Sequence, residues 1–465
     1  MSFPNTSVID VQFSSDCNMK CQYCYLHKNK KGMVAYNRLV QQKLADGSFA
    51  ANIIRVAKDF KDNIHSLGLW GAEPTLNADY FEVFMSDLLD NFENMSTITF
   101  STNGSLGSTA LFKFYQDVRG YAESHKRPLH LDIQISIDGP EWINDCSRQA
   151  NATKGSIDAV NGLIDLVEPN NNYFLLSICT KPTLDTSYMK MMNDDPKLHV
   201  EYFKFMDDLH SNWMEHNKLS GSKVQLNTSQ RPTLVTPGTH TVEAGKIFAE
   251  YIRNVKSIDD EQFTYFKHPL FVQFDRNFFD AIESKGTLLT SNSSLGCSGG
   301  NGAISISPFG KVTTCHRLFE ALYNDEQENV GDILSNESFD VGDEFGSHRL
   351  PYTMTAFHEY VSSRRMFAEI MMLSLVSSGQ IGEIFLDQQQ RNKLFLMSTG
   401  MTCHTGHSVE TRNTYCLPTS YFKLLGNGAM EELQDYMFKS RSSTFNHLRS
   451  KLKLVCEEVG ECDDI

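Results

Sequence analysis

Short apolar runs rich in β-branched and aromatic residues alternate with helix-like stretches through the first half of the chain. This alternation predicts βα units and a parallel sheet. The six predicted strands are 8–13, 66–71, 96–104, 129–139, 173–181 and 223–229. Between them, amphipathic periodicity predicts helices at 39–60, 80–92, 111–121, 157–167 and 200–214.

Six successive βα units predict a partial (βα)6 TIM-like barrel over residues 1–235. In parallel barrels the loops that follow the strands converge on one mouth, so chemistry gathers at the carboxyl ends of the strands. Residues 231–241 are rich in Pro, Thr and Gly, which indicates a linker leaving the barrel. We expect a linker with bridging helices over 236–290.

The composition changes again from residue 291, where a Gly-rich loop precedes the runs ISIS, PFGK and VTTC. These runs predict a hairpin with its tight turn at Phe309 and Gly310. Residues 352–399 predict two helices rich in Met, Phe and Leu. The sequence therefore predicts a C-terminal α+β domain over 291–465 that contains a helical insert.

Charge and composition narrow the class of protein. Among 465 residues, 42 Lys and Arg against 57 Asp and Glu give a formal net charge of −15, which argues against a nucleic-acid or membrane-surface binder. No secretory signal pattern is visible, and the apolar run 366–376 is too short to span a bilayer, so we expect a cytoplasmic protein. Its 11 cysteines are then expected to be metal or cluster ligands or, for Cys146 and Cys179, buried structural thiols.

Three cysteines follow the first predicted strand in the run CNMKCQYCY, at Cys17, Cys21 and Cys24. Three thiolates can bind three irons of a 4Fe-4S cluster and leave the fourth iron open to a substrate or cofactor. Structural zinc sites use four ligands instead. The alternatives are therefore a zinc knuckle with His27 as the fourth ligand, or three unrelated cysteines.

Small polar or acidic residues end the next three predicted strands, in the runs GAEP (71–74), STNG (101–104) and SIDGP (136–140). A carboxylate such as Glu73 can accept hydrogen bonds from an ammonium group, and Gly71 leaves room for a ligand against the backbone. Each run alone is compatible with an ordinary turn. In this order on successive strands they predict one polar ligand site at the barrel mouth.

The C-x3-C-x2-C spacing, with Tyr23 before the last cysteine, resembles the signature of radical S-adenosylmethionine (SAM) enzymes. GAEP resembles the family's usual Gly-Gly-Glu-Pro segment, with Ala72 as a mild departure, and STNG and SIDGP resemble further SAM-binding segments. The resemblance implies that the open iron chelates SAM and that electron transfer from the cluster yields a 5′-deoxyadenosyl radical. The SAM-binding residues it implies are Tyr23, Gly71, Ala72, Glu73, Ser101, Asn103, Ser136 and Asp138.

Cys297, Gly310 and Cys315 are spaced C-x12-G-x4-C, which resembles the start of the SPASM or twitch domain found in part of that superfamily. The remainder of the full SPASM cysteine pattern is missing. The resemblance implies one auxiliary 4Fe-4S cluster, and a zinc site recruiting His404 and His407 is the alternative for the later cysteines. The four ligands available for the auxiliary cluster are Cys297, Cys315, Cys403 and Cys416.

Sulfatase-maturing members of the superfamily carry an aspartate directly after the second auxiliary cysteine, where it can take a proton from the substrate radical. His316 stands there in this chain and can do the same work, since its unperturbed pKa is about 6.5. A hydrogen bond to a cluster sulfur or a surface role is an equal alternative. The change argues against sulfatase maturation specifically.

The substrate class implied by the resemblance is a peptide or protein side chain, with a flavodoxin or ferredoxin as electron donor. One auxiliary cluster fits a twitch-type dehydrogenase of a small-molecule alcohol or sugar equally well. A third alternative, from another class, is a non-enzymatic zinc-binding module. Iron and sulfide content separates the last alternative from the first two.

Overall fold

The computed structural model describes most of residues 7–227 and parts of the chain beyond them. The described residues are 7–24, 30–58, 60–169, 171–180, 182–227, 233–235, 247, 250–251, 254, 303–310, 312–313, 338–343 and 346–351. The predictions for 352–399 and for the auxiliary ligands and proton acceptor lie outside the described residues, namely Cys297, Cys315, His316, Cys403 and Cys416.

The described part of the chain is an α/β structure. Its strands are β1 (Val8–Ser14), β2 (Ser66–Gly71), β3 (Thr97–Thr102), β4 (Leu129–Ile135), β5 (Phe174–Thr180), β6 (Thr183–Asp185), β7 (Gln225–Asn227), β8 (Thr233–Val235), β9 (Ala303–Ile306), β10 (Val312–Thr313), β11 (Ser338–Asp343) and β12 (Gly346–Pro351). Eight of them form one sheet in the order β10-β9-β1-β2-β3-β4-β5-β7.

Seven neighbouring strands of this sheet, from β9 to β7, run parallel, and β10 is antiparallel at its edge. This arrangement is compatible with a partial TIM-like barrel. The six predicted strands are confirmed as β1–β5 and β7. A separate parallel pair, β6 with β8, was not predicted, and β8 lies within the predicted linker at 231–241.

The predicted hairpin is confirmed by the antiparallel pairing of β9 with β10 and by Gly310, whose φ is +82°. Its position was not predicted, because β9 also pairs in parallel with β1, from Val8 opposite Ala303 to Val11 opposite Ile306. A segment 295 residues away in sequence, counted from Val8 to Ala303, therefore extends the main sheet beside the strand that leads into the cysteine run. The proposed domain boundaries stay predictions.

Helices follow the strands, as expected for βα units. They are α1 (Lys30–Ala45), α2 (Ser48–Ala57), α3 (Phe81–Asn91), α4 (Gly107–His125), α5 (Glu141–Ser147), α6 (Ala152–Leu166), α7 (Thr186–Asp194) and α8 (Lys197–Ser220). The single helix predicted over 39–60 is wrong: Gly47 has φ +74° and separates α1 from α2. A left-handed glycine is a common end point of a helix.

The sheet has one apolar and one polar face. In β3, β4 and β5 every second residue is fully buried, for example Ile98, Phe100 and Ile133. Most of the residues between them are polar and half-buried, such as Thr99 and Asp132. Because neighbouring side chains on a strand point to opposite faces, the buried set lies on one face of the sheet, in a core that also contains helix residues, and the mostly polar set lies on the other face. None of the described helices is both long and apolar enough to cross a bilayer.

Candidate active site at the carboxyl ends of the strands

The cysteine run leaves the end of β1 and is tied by backbone hydrogen bonds to the end of β2. The Ala72 amide donates to the Ser14 carbonyl at 3.0 Å, and the Glu73 amide donates to the Asp16 carbonyl at 2.9 Å. These bonds continue the pairing of the two strands past their ends. They hold the residues just before Cys17 against the GAEP segment, as expected from the ordered strand-end motifs.

Gly71 allows this close approach. Its φ is +117°, and a Cβ atom at this position would lie 1.8 Å from the Ser14 carbonyl oxygen. Only glycine adopts such backbone angles without strain and leaves the space that the Ser14 carbonyl fills. The backbone packing at position 71 therefore requires glycine, independently of any ligand.

The other side of the cysteine run is held by the segment after β4. The Gln22 amide donates to the Ser147 carbonyl at 2.8 Å. The side-chain amide of Gln22 donates to the Cys146 carbonyl, also at 2.8 Å. Towards β3, Asn18 Nδ2 donates to Ser105 Oγ at 2.6 Å. The end of β2, the loop after β3 and the end of α5 thus fix one loop, and this explains how residues 17–24 keep a defined course without regular secondary structure.

Polar hydrogens are directed at two of the three candidate ligand sulfurs. Cys17 Sγ accepts from the Met19 amide at 3.4 Å and from Asn103 Nδ2 at 3.7 Å. Cys21 Sγ accepts from Arg148 Nη1 at 3.9 Å. Donors that point at sulfur favour the thiolate form, which is the form that binds metals and clusters. The surroundings of these two cysteines therefore fit cluster ligands.

Burial, in contrast, disfavours the thiolate form of these two free cysteines and raises their pKa. It raises the pKa of Cys17 to about 12, and the nearby Glu73 carboxylate adds to this. Burial also raises the pKa of Cys21, while the Arg148 charge lowers it. Positive irons reverse such shifts, because a metal-bound thiol is deprotonated outright.

The ligands of a single metal ion must be grouped around one point, which the ligands of a cluster need not be. Within the described residues, no three His, Cys, Asp or Glu side chains are grouped so that they could hold one metal ion. Thiolates that bind different irons of a cluster do not have to meet at one atom.

Glu73 lies at the centre of the hydrogen bonds between the ends of β2 and β3. Its carboxylate accepts four: from the Thr75 amide and hydroxyl at 3.2 and 2.6 Å, from the Thr102 hydroxyl at 2.6 Å and from the Asn103 amide at 2.9 Å. The side chain is buried, and burial raises its pKa in spite of these donors. Glu73 thus orients Asn103, whose side chain reaches Cys17.

Asp138 is the corresponding centre at the end of β4, and it is fully buried. Arg148 binds it through two nitrogens, at 2.7 and 2.9 Å. The Tyr23 hydroxyl donates at 2.7 Å, the Ser147 hydroxyl at 3.1 Å and the Thr183 amide at 2.8 Å. Burial lowers the pKa of Arg148, but the Asp138 carboxylate, Tyr23 and Cys21 together outweigh it, and the net pKa lies well above the usual value. Arg148 is therefore a permanent cation here.

The structure brings Tyr23, Asn103 and Asp138 to the cysteine run, as the sequence predicted. Ser101 and Ser136 are half-buried at the same end of the sheet. Sequence reasoning missed Thr102 and Arg148. Thr102 lies inside the STNG run, and strand alternation could have indicated that its side chain faces away from that of Ser101.

Arg148 has no such signal in the sequence, because it follows α5 and reaches Asp138 only through the fold. The same helix accounts for a correction. Cys146 is exposed, not buried as expected, since α5 buries Ile143, Asn144 and Ser147, which lie on its opposite face.

Comparison with known proteins gives a distant similarity. No family model matches the chain. Over 254 residues the chain is 23% identical to the proteins named cysteine-type anaerobic sulfatase-maturating enzyme from two strains of Clostridium perfringens. The aligned region is 48% of this chain and 64% of each relative, so the match spans less than two thirds of the relatives' length. The chain is weakly similar to these protein-modifying enzymes.

Proposed function

We propose that the chain is a radical SAM enzyme that modifies a peptide or protein side chain. The observation that carries the proposal is the cysteine run fixed by the end of β2, the loop after β3 and the end of α5, with hydrogen-bond donors aimed at the sulfurs of Cys17 and Cys21. The distant similarity to anaerobic sulfatase-maturating enzymes supports it independently.

In this proposal Cys17, Cys21 and Cys24 hold a 4Fe-4S cluster. Such a cluster, when bound and reduced, supplies the electron that cleaves SAM and so produces the radical that abstracts hydrogen from the substrate. The chain's own residues orient SAM and the substrate. In the proposal, Ser101 at the end of β3 and Ser136 directly after β4 contact SAM.

Glu73 and Asp138 were expected to contact SAM directly. In the structure Glu73 already accepts four hydrogen bonds and Asp138 five from the protein. Direct contact with SAM stays a prediction for both. Their hydrogen bonds support a positioning role, in which each carboxylate holds a strand end in the shape that the ligand meets.

A peptide or protein substrate is favoured over a small alcohol or sugar, because the named relatives mature a protein. The auxiliary cluster, its ligands Cys297, Cys315, Cys403 and Cys416, and His316 as proton acceptor remain part of the proposal.

Cleavage of SAM tests the proposal. Anaerobically reconstituted protein with dithionite and SAM should release 5′-deoxyadenosine, and the triple Cys17→Ala, Cys21→Ala, Cys24→Ala variant should not. The matched control is the double variant Cys146→Ala, Cys179→Ala, which also removes thiols but leaves the triplet intact. Equal release from the triple variant and the parent would refute the proposal. Adding a cysteine-containing peptide and following its mass tests the substrate class.

A further inference from the structure

The Arg148 guanidinium has a different partner on each of its sides. Nε and Nη2 bind the Asp138 carboxylate, and the remaining nitrogen, Nη1, donates to Cys21 Sγ. The guanidinium carbon also lies 5.5 Å from the centre of the Tyr23 ring. The side chain is only 7% exposed. The ion pair is therefore oriented, with its positive end towards the cysteine and its negative end away from it.

A charge in this position acts on the electron affinity of whatever the cysteine binds. Reduction of an iron–sulfur cluster adds one negative charge, and hydrogen bonds to the sulfurs and nearby charges set the potential at which this happens. The effect of a charge is larger in a buried site than in water, because the surroundings screen it less. A cation beside Cys21 stabilises the reduced cluster more than the oxidised one.

The negative charge of Asp138 opposes the effect of Arg148 on the reduction potential, and the geometry of the pair limits this opposition. Its oxygens contact Nε and Nη2, so they lie on the side of the guanidinium that faces away from Nη1 and Cys21. Tyr23 and Ser147 also donate hydrogen bonds to Asp138 and stabilise its negative charge. Cys17 differs, because its two described donors, Met19 and Asn103, are neutral amides.

We propose that Arg148 is a positioning residue that raises the reduction potential of the cluster held by Cys17, Cys21 and Cys24, with Asp138 as the opposing charge that moderates it. The inference rests on the proposed function, since it requires the cluster. It assigns to the Arg148–Asp138 pair a role in setting how readily the cluster accepts its electron.

The test is the midpoint potential of the cluster, measured by redox titration of the reconstituted full chain without SAM and followed by electron paramagnetic resonance. The signal that changes when SAM is added afterwards identifies the relevant cluster. In Arg148→Gln the ratio of reduced to oxidised cluster at the parent's midpoint should fall about tenfold, a shift of about 59 mV to more negative potential for one electron. Asp138→Asn should shift the midpoint in the opposite direction.

Arg148→Lys keeps the charge and should stay near the parent. The matched control is Arg119→Gln on α4, which removes another ion-paired arginine, bound to Glu123 and Glu168, and should leave the midpoint unchanged. A purely structural role for the pair predicts shifts of the same sign in Arg148→Gln and Asp138→Asn, or none. Opposite signs are the signature of a charge effect.

Shifts of the same sign, or shifts no larger than that of Arg119→Gln, would overturn the inference while leaving the proposed function intact. If Arg148→Gln fails to take up iron, Asp138→Asn and Arg148→Lys decide: a positive shift in the first and none in the second support the inference, and any other pair of results overturns it. A parent protein that assembles no cluster and releases no 5′-deoxyadenosine refutes the proposed function itself.

Discussion

Replacing Gly71 by alanine should disrupt the junction between the cysteine run and the sheet. The new Cβ would lie 1.8 Å from the backbone oxygen of Ser14, at a residue whose φ is +117°. Side chains at this φ are strained, and the Ser14 oxygen is a main-chain atom that cannot rotate out of the way. The two segments must separate, and the bond from the Ala72 amide to the Ser14 carbonyl is lost with them.

The magnitude follows from three contributions. Backbone strain costs roughly 1–3 kcal/mol, overpacking roughly 1–3 kcal/mol, and a lost hydrogen bond about 0.5–1.5 kcal/mol. Together they predict that Gly71→Ala lowers the free energy of unfolding by about 3–7 kcal/mol. Since whole domains are stable by only about 5–15 kcal/mol, the variant should be near the limit of folding.

The assay is urea unfolding of the cluster-free protein followed by circular dichroism, together with iron content after reconstitution. Gly120→Ala is the matched control. Gly120 lies inside α4, and nothing stands within 4 Å of the Cβ that alanine would add. Alanine there should stabilise by roughly 0.5–1 kcal/mol. A Gly71→Ala variant as stable as the parent, with full iron uptake, would refute the reasoning about this junction.

Two further predictions concern the carboxylates at the mouth. Burial raises the folded-state pKa of Glu73 above its usual value, so the folded protein binds this proton more tightly than the unfolded chain. The free energy of unfolding of the parent, minus that of Glu73→Gln, should therefore fall as the pH rises above about 4.5. Urea midpoints of both proteins measured from pH 4.5 to 7 test this. A parent-minus-variant difference that increases with pH would contradict the prediction. Tyr23→Phe removes the hydroxyl that donates to Asp138 and should lower stability by about 1.5–3 kcal/mol. Tyr173→Phe, at an exposed position, should change it by less than about 0.5 kcal/mol, and equal losses in both tyrosine variants would count against the first.

Local patterns in the sequence determined the strands of the barrel half. Strands β1–β5 and β7 lie in segments where apolar residues recur at every one or two positions, and this local pattern needs no distant information to be recognised. The break between α1 and α2 was missed because two local signals disagree. Apolar periodicity continues across Gly47 and predicts one helix, whereas the left-handed backbone at that glycine ends the helix.

The residues of the candidate site likewise fall into those that the sequence could identify and those that it could not. Cys17, Cys21, Tyr23, Glu73 and Asp138 could be chosen from the sequence, because they lie in short motifs at strand ends. Arg148, the partner of Asp138 and Cys21, could not.

The tertiary structure alone decided that Arg148 faces both Asp138 and Cys21, and that β9 pairs with β1. Cys21 and Arg148 meet because the segments that follow β1 and β4 lie at the same edge of the parallel sheet, whereas β9 meets β1 by pairing alongside it. The sequence records which groups are available there, and only the packing of the strands decides which of them share a hydrogen bond or a charge.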